Sequence, residues 1–462
     1  MPDEAAEPPV IASSWLFGAA KELRGDQLAA YRKALESHGG GLVRFHLGPP
    51  KVGIDFDTVF TPDDARQVLA TDNASYDKEV AAFDEFRWVM GQGLITSEGD
   101  RWRRDRRIVA PLFSTRRIAS YVDYMAEAAA GIADSWQGKD QVDLDHAGRH
   151  YALNVLGKAV FGDDVEAAAG MLEEIIPELS EFATRRALSV ARTPASWPTP
   201  ANRKADALRQ RLFRFVDDLV ARRKAGALDG GDLVTLLLTA RDPEGGEALD
   251  DVGVRDHALT FLVAGHETTA TSLAMALHLL ARHPDVQDKV RAEATAVAGD
   301  GPIAPEHVDK LTYAAQVIDE TLRIYPSGHT IVRHAHENTT LGGYEADAGR
   351  IVAVSVWGVH HNPDVWPDPY RFDPDRFATP PAERYAHLPF GGGPRGCIGQ
   401  HLAVAELVVA LATLVRMYRL EAEDQEPALD VGATIRPHPP LLVRATMVGT
   451  VSRPGGRGPE TG

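Results

Sequence analysis

Apolar side chains recur at intervals of three and four residues along most of this 462-residue chain, the spacing that places them on one face of an α-helix. The predicted helices cover residues 25–38, 63–70, 100–112, 116–136, 147–160, 205–225, 255–282, 284–298, 311–324 and 400–416. Strand-like runs are few and scattered: GLVRFHLG, VGIDFDTVF, TTLGGYEADAGRIVAVSV and PPLLVRATMV. The pattern therefore predicts a mainly α protein with small β-sheets.

The two ends of the chain differ in composition from the part between them. Residues 1–14 and 448–462 are rich in proline, glycine and charge, which predicts disordered or extended tails. Residues 189–204, SVARTPASWPTPANRK, lie between helical patterns and indicate a long surface loop. Because no repeat or linker interrupts the remainder, residues 15–447 are expected to form a single large domain.

Composition narrows the compartment and the kinds of partner. Apolar residues make up 44% and charged residues 25%, as in ordinary globular proteins, and the net charge of −17 disfavours nonspecific nucleic-acid binding. A single cysteine excludes an internal disulfide and is typical of a reducing compartment. The start lacks a signal-peptide pattern, and the apolar run ALTFLVAG is too short to span a bilayer, so we expect a cytoplasmic protein without a membrane anchor.

The single cysteine lies in a loop unusually rich in glycine, FGGGPRGCIG, and a strongly helical run follows it. Glycines allow a backbone to turn tightly and to approach another group closely. Cys397 comes just before the start of that helix, where backbone N–H groups and the helix dipole favour a thiolate. A nucleophile and a soft metal ligand both fit these features.

This loop resembles the haem-binding loop of the cytochromes P450, Phe-x-x-Gly-x-Arg-x-Cys-x-Gly. Every constant position of that loop is matched, by Phe390, Gly393, Arg395, Cys397 and Gly399. The resemblance implies the cytochrome P450 fold, a single large triangular domain. It also implies haem b with Cys397 as the proximal thiolate ligand of the iron, Arg395 reaching a propionate and Phe390 packing beside the ligand.

A second resemblance to the family lies in two segments before the loop. ETLR contains the Glu-x-x-Arg pair Glu320 and Arg323, and FDPDRF contains Arg376. Positions i and i+3 share one face of a helix, so the pair can form a bridge. By resemblance, Arg376 joins that pair in a buried charge network with a structural role.

A third resemblance is AGHETT, in the middle of the longest helical pattern. Polar residues within an apolar helix are costly unless they serve a purpose. The resemblance implies that Ala264 and Gly265 lie beside the haem, with Gly265 opening space there. It also implies that Thr268 hydrogen-bonds the bound O2 and that Glu267 relays protons, as general acid–base chemistry requires.

A fourth resemblance is RWRRDRR, a local basic island on an acidic chain. Trp102 and Arg106 are four residues apart on one helix face and match the family's pair that hydrogen-bonds a propionate. Arg333 matches a further propionate-binding arginine, and Lys78 is a weaker candidate for the same task.

The other arginines of the island, Arg103, Arg104 and Arg107, are then expected to point largely outward. They predict a docking surface for an acidic electron donor, although a solvated helix face is the usual reading of a charge run. Since no flavin or iron–sulfur motif is visible, the resemblance implies that electrons come from NAD(P)H through a ferredoxin and a ferredoxin reductase. We expect the enzyme itself to be a monomer.

The reaction that the resemblance implies is monooxygenation, with O2 as co-substrate and a lipophilic small molecule such as a terpenoid or polyketide as substrate. The residues expected to line the substrate pocket are Phe83, Phe86, Val89, Ala264, Gly328, His329, Thr330 and Ile331. His329 either hydrogen-bonds a substrate oxygen or is bonded to backbone or water. For Lys51, a solvated side chain is favoured over a contact with a substrate carboxylate.

Three alternatives remain open on the sequence. Several segments are most similar to the fatty-acid-hydroxylase-like members, so a fatty-acid hydroxylase is one. A peroxide-dependent peroxygenase or a hydroperoxide isomerase is another, although the intact Glu267–Thr268 pair counts against it. A non-catalytic haem sensor or carrier is the third.

Overall fold

The computed structural model describes residues 7–451 except 13, 52, 188, 190–193, 195, 227–230 and 424. Residues 1–6 and 13 of the predicted N-terminal tail, 452–462 of the predicted C-terminal tail, and 190–193 and 195 of the predicted surface loop lie outside the described residues. Residues 10 and 11 of the N-terminal tail are extended and form a strand. At the start of the C-terminal tail, Val448 donates a hydrogen bond to the carbonyl oxygen of Met417 at 2.8 Å.

Helices dominate the described chain. The α-helices are α1 Ala20–Gly25, α2 Gln27–His38, α3 Pro62–Arg66, α4 Ala81–Met90, α5 Gly99–Val109, α6 Thr115–Ala119, α7 Val122–Ser135, α8 Leu144–Phe161, α9 Val165–Ala187, α10 Pro200–Ala225, α11 Leu233–Thr239, α12 Asp251–Arg282, α13 Pro284–Ala298, α14 Pro305–Val308, α15 Thr312–Ile324, α16 Val356–His361 and α17 Gln400–Met417. The helical pattern of the sequence thus predicted the dominant element type.

Each predicted helix is present, with bounds that move by a few residues. The prediction for 116–136 is divided, because α6 ends at Ala119 and α7 begins at Val122. The sequence pattern missed α1, α4, α9, α11, α14 and α16. The helix α9 carries Pro177 in its interior, and proline normally ends a helical pattern. The helix α16 has only six residues, too few to show a period.

The strands form one larger sheet and three small ones. They are β1 Val10–Ile11, β2 Val43–Leu47, β3 Ile54–Val59, β4 Tyr76–Asp77, β5 Gln141–Asp143, β6 Thr330–Ala335, β7 Thr339–Leu341, β8 Tyr344–Ala346, β9 Ile351–Ser355, β10 Tyr418–Glu421, β11 Leu429–Val431, β12 Ile435–Pro437 and β13 Leu442–Met447. The six-stranded sheet has the order β1-β2-β3-β9-β6-β4, and β10-β13-β5 form a three-stranded sheet. The strands β11 and β12 pair, as do β7 and β8.

The chain divides into two compact units, each built from separate segments of the sequence. The first contains Met1–Val80, Asp319–Cys397 and Leu429–Arg436, and therefore the six-stranded sheet and the cysteine loop. The second contains Ala81–Ile318, Ile398–Ala428 and Pro437–Gly462, and therefore most of the helices. The sequence pattern could not predict this division because it shows no break at any single point of the chain.

In the second unit, α12 is the longest helix and packs along α8. Asp250 caps it, accepting a hydrogen bond from the backbone N–H of Gly253 at 2.7 Å. With 32 residues it is about 48 Å long. Gly148 of α8 allows the close approach, since a Cβ there would lie 2.3 Å from the carbonyl oxygen of Ala270. Gly148 therefore determines how closely α8 packs against the middle of α12.

Of the described helices, α17 alone is long and apolar enough to cross a membrane by length and composition. It is 78% buried inside the fold, and this burial is typical of a core helix.

We expect Gly148→Ala to lower the free energy of unfolding by about 1–3 kcal/mol, because the new methyl group must push α8 away from α12. Gly131→Ala is the matched control. Gly131 lies inside α7 with no atom within 4 Å of its Cβ position, so the same substitution should stabilise by up to about 1 kcal/mol. Urea unfolding of both variants measures this. Equal effects would contradict the close packing of α8 on α12.

Candidate functional site

The cysteine loop of the first unit is closed by its own backbone. The N–H of Cys397 donates to the carbonyl oxygen of Phe390 at 2.9 Å, and the N–H of Gly396 donates to that of Gly393 at 3.1 Å. Gly393 has φ +64°, and a Cβ there would lie 1.7 Å from the carbonyl oxygen of Leu69. Only glycine can occupy that position. The loop is therefore pressed against the residues that follow α3.

Cys397 itself is exposed on this unit. An unreactive cysteine would ordinarily be buried as a small apolar side chain. The loop instead places the sulfur at its surface, three residues before α17 begins. This geometry fits a thiolate that binds something outside its own loop.

The charge network predicted before the loop is assembled in the first unit. Arg323 and Glu320 are completely buried and form a bidentate pair, with N–O distances of 2.6 and 2.9 Å. The remaining donors of Arg323 reach the carbonyl oxygens of His360, Pro369 and Arg371. Each of these contacts ties α15 to the chain that leads to the cysteine loop.

Arg376 completes this network, as the resemblance implied. Its Nε lies 3.4 Å from Glu320 Oε1, and its other nitrogens donate to the carbonyl oxygens of Pro367 and Asp368. The backbone N–H of Asp373 donates to the same carboxylate at 2.9 Å. Glu320 thus holds the FDPDRF segment through both a side chain and the backbone.

Beside this network lies a group of histidines that sequence reasoning missed, of which His360 and His361 are buried and His387 is half-buried. His360 donates from Nδ1 to the carbonyl oxygen of Arg323, and its Nε2 accepts from the N–H of Leu388. His387 donates to the carbonyl oxygen of Asp319, and its ring lies 5.3 Å from that of His360. His360 therefore links the arginine pair to the residue two places before Phe390. The neighbouring pair His360-His361 is visible in the sequence, but its burial is not.

Burial decides the charge of these histidines. It lowers the pKa of His361 and of His387 to about 3 and that of His360 well below its usual range. Neighbouring positive groups act in the same direction. Asp319 is half-buried, and its partial removal from water raises its pKa to about 6. The histidines are thus neutral at pH 7 and act as hydrogen-bonding parts of the fold.

Strand β6, which the sequence pattern did not predict, positions two of the predicted propionate ligands. Arg333 lies on β6, is buried, and donates to the carbonyl oxygen of Val332 at 2.9 Å. Lys78 is also buried and directly follows β4, which pairs with β6 at His334 and Ala335. The structure therefore brings these two cations to neighbouring strands.

The two faces of β6 separate the pocket residues predicted in this segment. Ile331, on the same face as Arg333, approaches the cysteine loop, since its Cδ1 lies 3.2 Å from the Cβ position of Gly391. Thr330 points to the other side, where its hydroxyl lies 3.2 Å from that of Tyr31. Gly328, before the strand, has open space at its Cβ position.

His329 adopts the structural alternative considered for it. It is buried, its Nε2 donates to the carbonyl oxygen of Gly432 at 3.0 Å, and its Nδ1 lies 2.9 Å from the Thr330 hydroxyl. Burial lowers its pKa, so the ring is neutral. Both ring nitrogens are used within the fold, and the same holds for the Thr330 hydroxyl. Their polar atoms are therefore engaged within the fold, and that these two residues line a substrate pocket stays a prediction. Lys51 is exposed, as favoured.

In the second unit, the helical period sorts the AGHETT segment onto two faces of α12. Ala264, Glu267 and Thr268 share one face and are half-buried. The Thr268 hydroxyl donates to the carbonyl oxygen of Ala264 at 2.7 Å. This contact orients the hydroxyl oxygen so that its lone pairs can accept a further hydrogen bond.

The opposite face of the segment packs on α8. A Cβ at Gly265 would lie 2.8 Å from Leu156 Cδ1, so a larger residue there would have to displace the leucine side chain. That it also opens space beside a cofactor stays a prediction. His266 is buried on the same side and bonds the backbone of Arg149, and burial lowers its pKa to about 4. Thr269 is buried in helix packing.

The helix α5 carries the other predicted cofactor contacts. Trp102 is buried and Arg106 half-buried. Between them, Asp105 is buried and approaches His257 of α12 at 3.3 Å and Arg104 at 2.7 Å. Burial alone would raise the pKa of Asp105, but the hydrogen bonds from His257 and Arg104 outweigh it and lower the pKa. This contact, which no sequence motif announced, holds α5 against α12.

The arginine island differs from the basic surface that its sequence predicts. Arg107 pairs with Asp242 at 2.7 Å, and Arg104 pairs with Asp105 and, at 3.6 Å, with Glu247. Only Arg103 is strongly exposed, and it pairs with the exposed Asp100. The acidic residues 242–247 come from a distant part of the sequence, so the charge run alone could not reveal this neutralisation.

The helix α4 carries the remaining predicted pocket residues. Val89 is buried in the main apolar core of the second unit, and Phe86 packs against that core. Phe83 is half-buried. Val89 is thus a core residue of its own unit, and a contact with substrate stays a prediction for all three.

The residues that the resemblance assigns to a haem fit one, judged on each unit separately. The first unit offers an exposed sulfur on a glycine loop, half-buried Arg395 on the same loop, and buried Arg333 and Lys78 on neighbouring strands. The second unit offers Trp102 and Arg106 on one helix face. Within the described residues, no cluster of three or more His, Cys, Asp or Glu side chains is placed to hold a metal ion. A single thiolate is a suitable ligand for a metal already held in a macrocycle.

Comparison with known proteins agrees with this chemistry. The family model of the cytochromes P450 matches residues 8–443. Cyclooctat-9-en-7-ol 5-monooxygenase of Streptomyces melanosporofaciens is 34% identical over 432 residues, which cover 91% of this chain and 92% of that protein. Cyclooctatin synthase of the same organism is 32% identical over 445 residues, covering 94% of each. Leukotriene-B4 omega-hydroxylase 3 of Mus musculus is 31% identical over 424 residues, covering 84% and 78%.

Because these histidines stay neutral in the folded state, we predict that the free energy of unfolding falls in acid. His361 and His387 each bind a proton in the unfolded chain below pH about 6.5 but not in the folded state until pH about 3, so unfolding is favoured as pH falls through that window. Asp319 acts in the opposite sense between pH about 6 and 4, because its folded form keeps a proton that the unfolded form loses, and it offsets one histidine.

His361→Phe tests this prediction, because phenylalanine retains the stacking on Trp357 but cannot titrate. The fall in the free energy of unfolding should become shallower by about 1.4 kcal/mol per pH unit between pH 6 and 4. Urea unfolding at a series of pH values measures the slope, and exposed His38→Gln serves as the control. A slope equal to that of the wild type would show that His361 is not held neutral.

Proposed function

We propose, since the chain belongs to the cytochrome P450 family and is a P450 monooxygenase, that it inserts one oxygen atom of O2 into a terpenoid or related lipophilic metabolite. The observation that carries the proposal is the exposed Cys397, presented by a loop that matches the family's haem-binding loop at every constant position. The mainly helical structure with small sheets is the P450 fold.

Haem b would be held through the sulfur of Cys397, with Arg395, Arg333, Lys78, Trp102 and Arg106 as the contacts to its propionates. When bound, haem supplies the activation of O2 that the protein's own side chains lack. The Cys397 thiolate would supply electron density to the iron of that haem. Buried arginines suit propionates because a guanidinium can bind a carboxylate through two parallel hydrogen bonds.

The chain's own part in the chemistry is the handling of protons on α12. We assign this to Glu267 and Thr268, which lie on one half-buried face of the helix. The Thr268 hydroxyl, held by Ala264, can accept one hydrogen bond while donating another. The Glu267 carboxylate, one residue away and partly in contact with solvent, can exchange protons with water and replenish the hydroxyl.

The similarity to two Streptomyces proteins supports a terpenoid-like substrate, since both are terpenoid-modifying enzymes. A fatty acid or other long-chain acid is the second candidate, supported by the similarity to leukotriene-B4 omega-hydroxylase 3. Because the polar atoms of His329 and Thr330 are engaged within the fold, the surface that the predicted pocket residues offer a substrate is mainly apolar, with Phe83, Phe86 and Ile331 as its large members. Spectral binding shifts with terpenoid alcohols and with long-chain acids would distinguish the two classes.

For the electrons, we propose NAD(P)H as the source and a ferredoxin with its reductase as the carriers. Because Arg104 and Arg107 are paired with acidic residues, we place the expected docking surface on other cations. The helix α6 adds Arg116 and Arg117, for which the described residues provide no ion-pair partner, and α6 packs on α17. We assign these two cations to the binding of an acidic donor and keep exposed Arg103 as a further candidate contact.

We further propose that the enzyme works as a monomer in the cytoplasm, in keeping with its single cysteine.

The reduced enzyme with carbon monoxide should show the Soret band typical of a haem thiolate, and Cys397→Ala should lose it, because alanine offers no ligand. The measurement is a reduced-plus-CO difference spectrum on haem-reconstituted protein. Arg371→Lys, a change at an exposed residue of the same unit, should leave the band unchanged. Absence of the band from the reconstituted wild type would refute thiolate ligation.

Arg116→Glu with Arg117→Glu should slow reduction by a ferredoxin about tenfold at low salt, because charge steering raises the rate of encounter. Stopped-flow reduction under carbon monoxide measures the rate. The matched control is Arg211→Glu with Arg214→Glu, which makes the same charge change on exposed positions of α10. If the control slows reduction equally, the effect is one of net charge and the proposed docking surface is wrong. Arg103→Glu alone tests the contribution of the original island.

A further inference from the structure

Four large apolar side chains of the first unit are exposed close together. Trp15, Leu16 and Phe17 are 79%, 49% and 43% exposed, and Ile54 is 50% exposed. Gly18 forms a bridge with Leu47, and Leu47 pairs with Ile54 across β2 and β3. We call these four residues the apolar tip. Single exposed apolar residues need no explanation, but a contiguous group marks an interaction surface.

The turn that presents the tip is fastened to the sheet. The N–H of Gly18 donates to the carbonyl oxygen of Ser14 at 2.7 Å, and the carbonyl oxygen of Phe17 accepts from the N–H of Gly48 at 3.2 Å. Gly18 has φ +54°, and a Cβ there would lie 2.1 Å from the carbonyl oxygen of His46. The fold thus holds exposed tryptophan, leucine and phenylalanine in a constrained turn, which lowers the entropic cost of binding through them.

The charges around the tip are asymmetric. Lys21 lies with its Nζ 4.8 Å from the centre of the Phe17 ring, and Lys51 is exposed on the loop between β2 and β3. The described residues offer neither lysine an ion-pair partner. The nearby acids are already paired, Glu22 with Lys33 at 3.5 Å and Asp55 with His46 at 2.6 Å and with Arg350 at 3.5 Å. Unpaired cations therefore adjoin the tip on a chain whose net charge is −17.

We propose that the apolar tip docks the enzyme onto the surface of a lipid bilayer that contains anionic headgroups. Tryptophan and phenylalanine insert at the boundary between headgroups and acyl chains, and adjacent lysines bind anionic headgroups. The tip is a protruding turn with cations beside it, which suits a deformable anionic surface. A second copy of the chain would place the same lysines opposite one another and is disfavoured by that repulsion.

The net negative charge of the whole chain does not prevent this contact. Screening confines electrostatic effects to about 8 Å at physiological ionic strength, so the lysines at the tip act at contact and distant charges are largely screened. Insertion of the apolar side chains then supplies the salt-independent part of the binding. Lipophilic molecules concentrate in bilayers, so docking would bring the enzyme to its substrate. That last consequence rests on the proposed function, but the docking does not.

The test is co-sedimentation of the haem-loaded enzyme with vesicles of equal parts phosphatidylcholine and phosphatidylglycerol, compared with pure phosphatidylcholine. The enzyme should bind the anionic vesicles more tightly. The triple variant Trp15→Ser, Leu16→Ser, Phe17→Ser should bind at least about tenfold more weakly, because three inserting side chains are removed. Lys21→Ser with Lys51→Ser should weaken binding to anionic vesicles and leave binding to neutral ones unchanged.

A matched control is Trp197→Ser, since Trp197 is a 56% exposed tryptophan of the second unit. It should leave binding intact, and brominated lipids should quench the fluorescence of the wild type but not of Trp15→Phe. The reduced-plus-CO spectrum confirms that each variant is folded. No binding to either vesicle, equal loss in the Trp197 variant, or a wild-type dimer that the triple variant abolishes would each overturn the proposal. Every measurement here is one of vesicle binding, so failure of the docking proposal can be distinguished from failure of the proposed monooxygenase function.

Discussion

The first unit depends on one buried guanidinium. Arg323 is completely inaccessible to solvent, and a charge in that position is tolerable only if every donor is satisfied. Glu320 neutralises it through two hydrogen bonds, and three carbonyl oxygens from the segment 360–371 accept the remainder. Removing one partner of such a pair typically costs about 3–5 kcal/mol, so the segment before the cysteine loop is held in place by a strong constraint.

That constraint extends by hydrogen bonds toward the sulfur. Arg323 exchanges backbone and side-chain contacts with His360, whose ring accepts from the N–H of Leu388, and the carbonyl oxygen of Leu388 accepts from Gly391 in the cysteine loop. Each link is a buried polar group that would be costly to leave unsatisfied. The exposed Cys397 thus rests on a rigid support, which is what a metal ligand needs if its position is not to vary.

In the second unit, polar residues lie in the middle of the apolar helix α12. The helix accommodates them because the residues that pack on α8 and the half-buried polar residues lie on different faces. Gly265 and His266 turn toward α8, where one permits close packing and the other is neutral and bonded, whereas Glu267 and Thr268 turn to the half-buried face. The contact of Asp105 with His257 then holds α5 against the same helix. The two helices that carry predicted cofactor contacts are thereby braced within one unit.

The sequence pattern predicted an element or motif correctly where the residues that define it lie close together in the chain. Helical periodicity located the long helices, and the glycine loop, the Glu-x-x-Arg pair and the acid–alcohol pair were each visible as a spacing of particular residue types. Short or interrupted elements were missed, such as α9 with its internal Pro177, because their stability comes from packing and not from local propensity. The strand β6 was missed for the same reason, since its pairing partners lie far from it in sequence.

The amino-acid sequence was sufficient to establish the family and to predict a metal ligand and a proton-handling pair, because these depend on residue identity at short spacing. Tertiary structure alone decided which of the candidate polar groups remain available for function. His329 and Thr330 are used by one another, by Gly432 and by Tyr31, and the arginine island is neutralised by acids some 135 residues away. Hydrogen bonding and ion pairing act between groups that folding brings together, and no local pattern records those encounters.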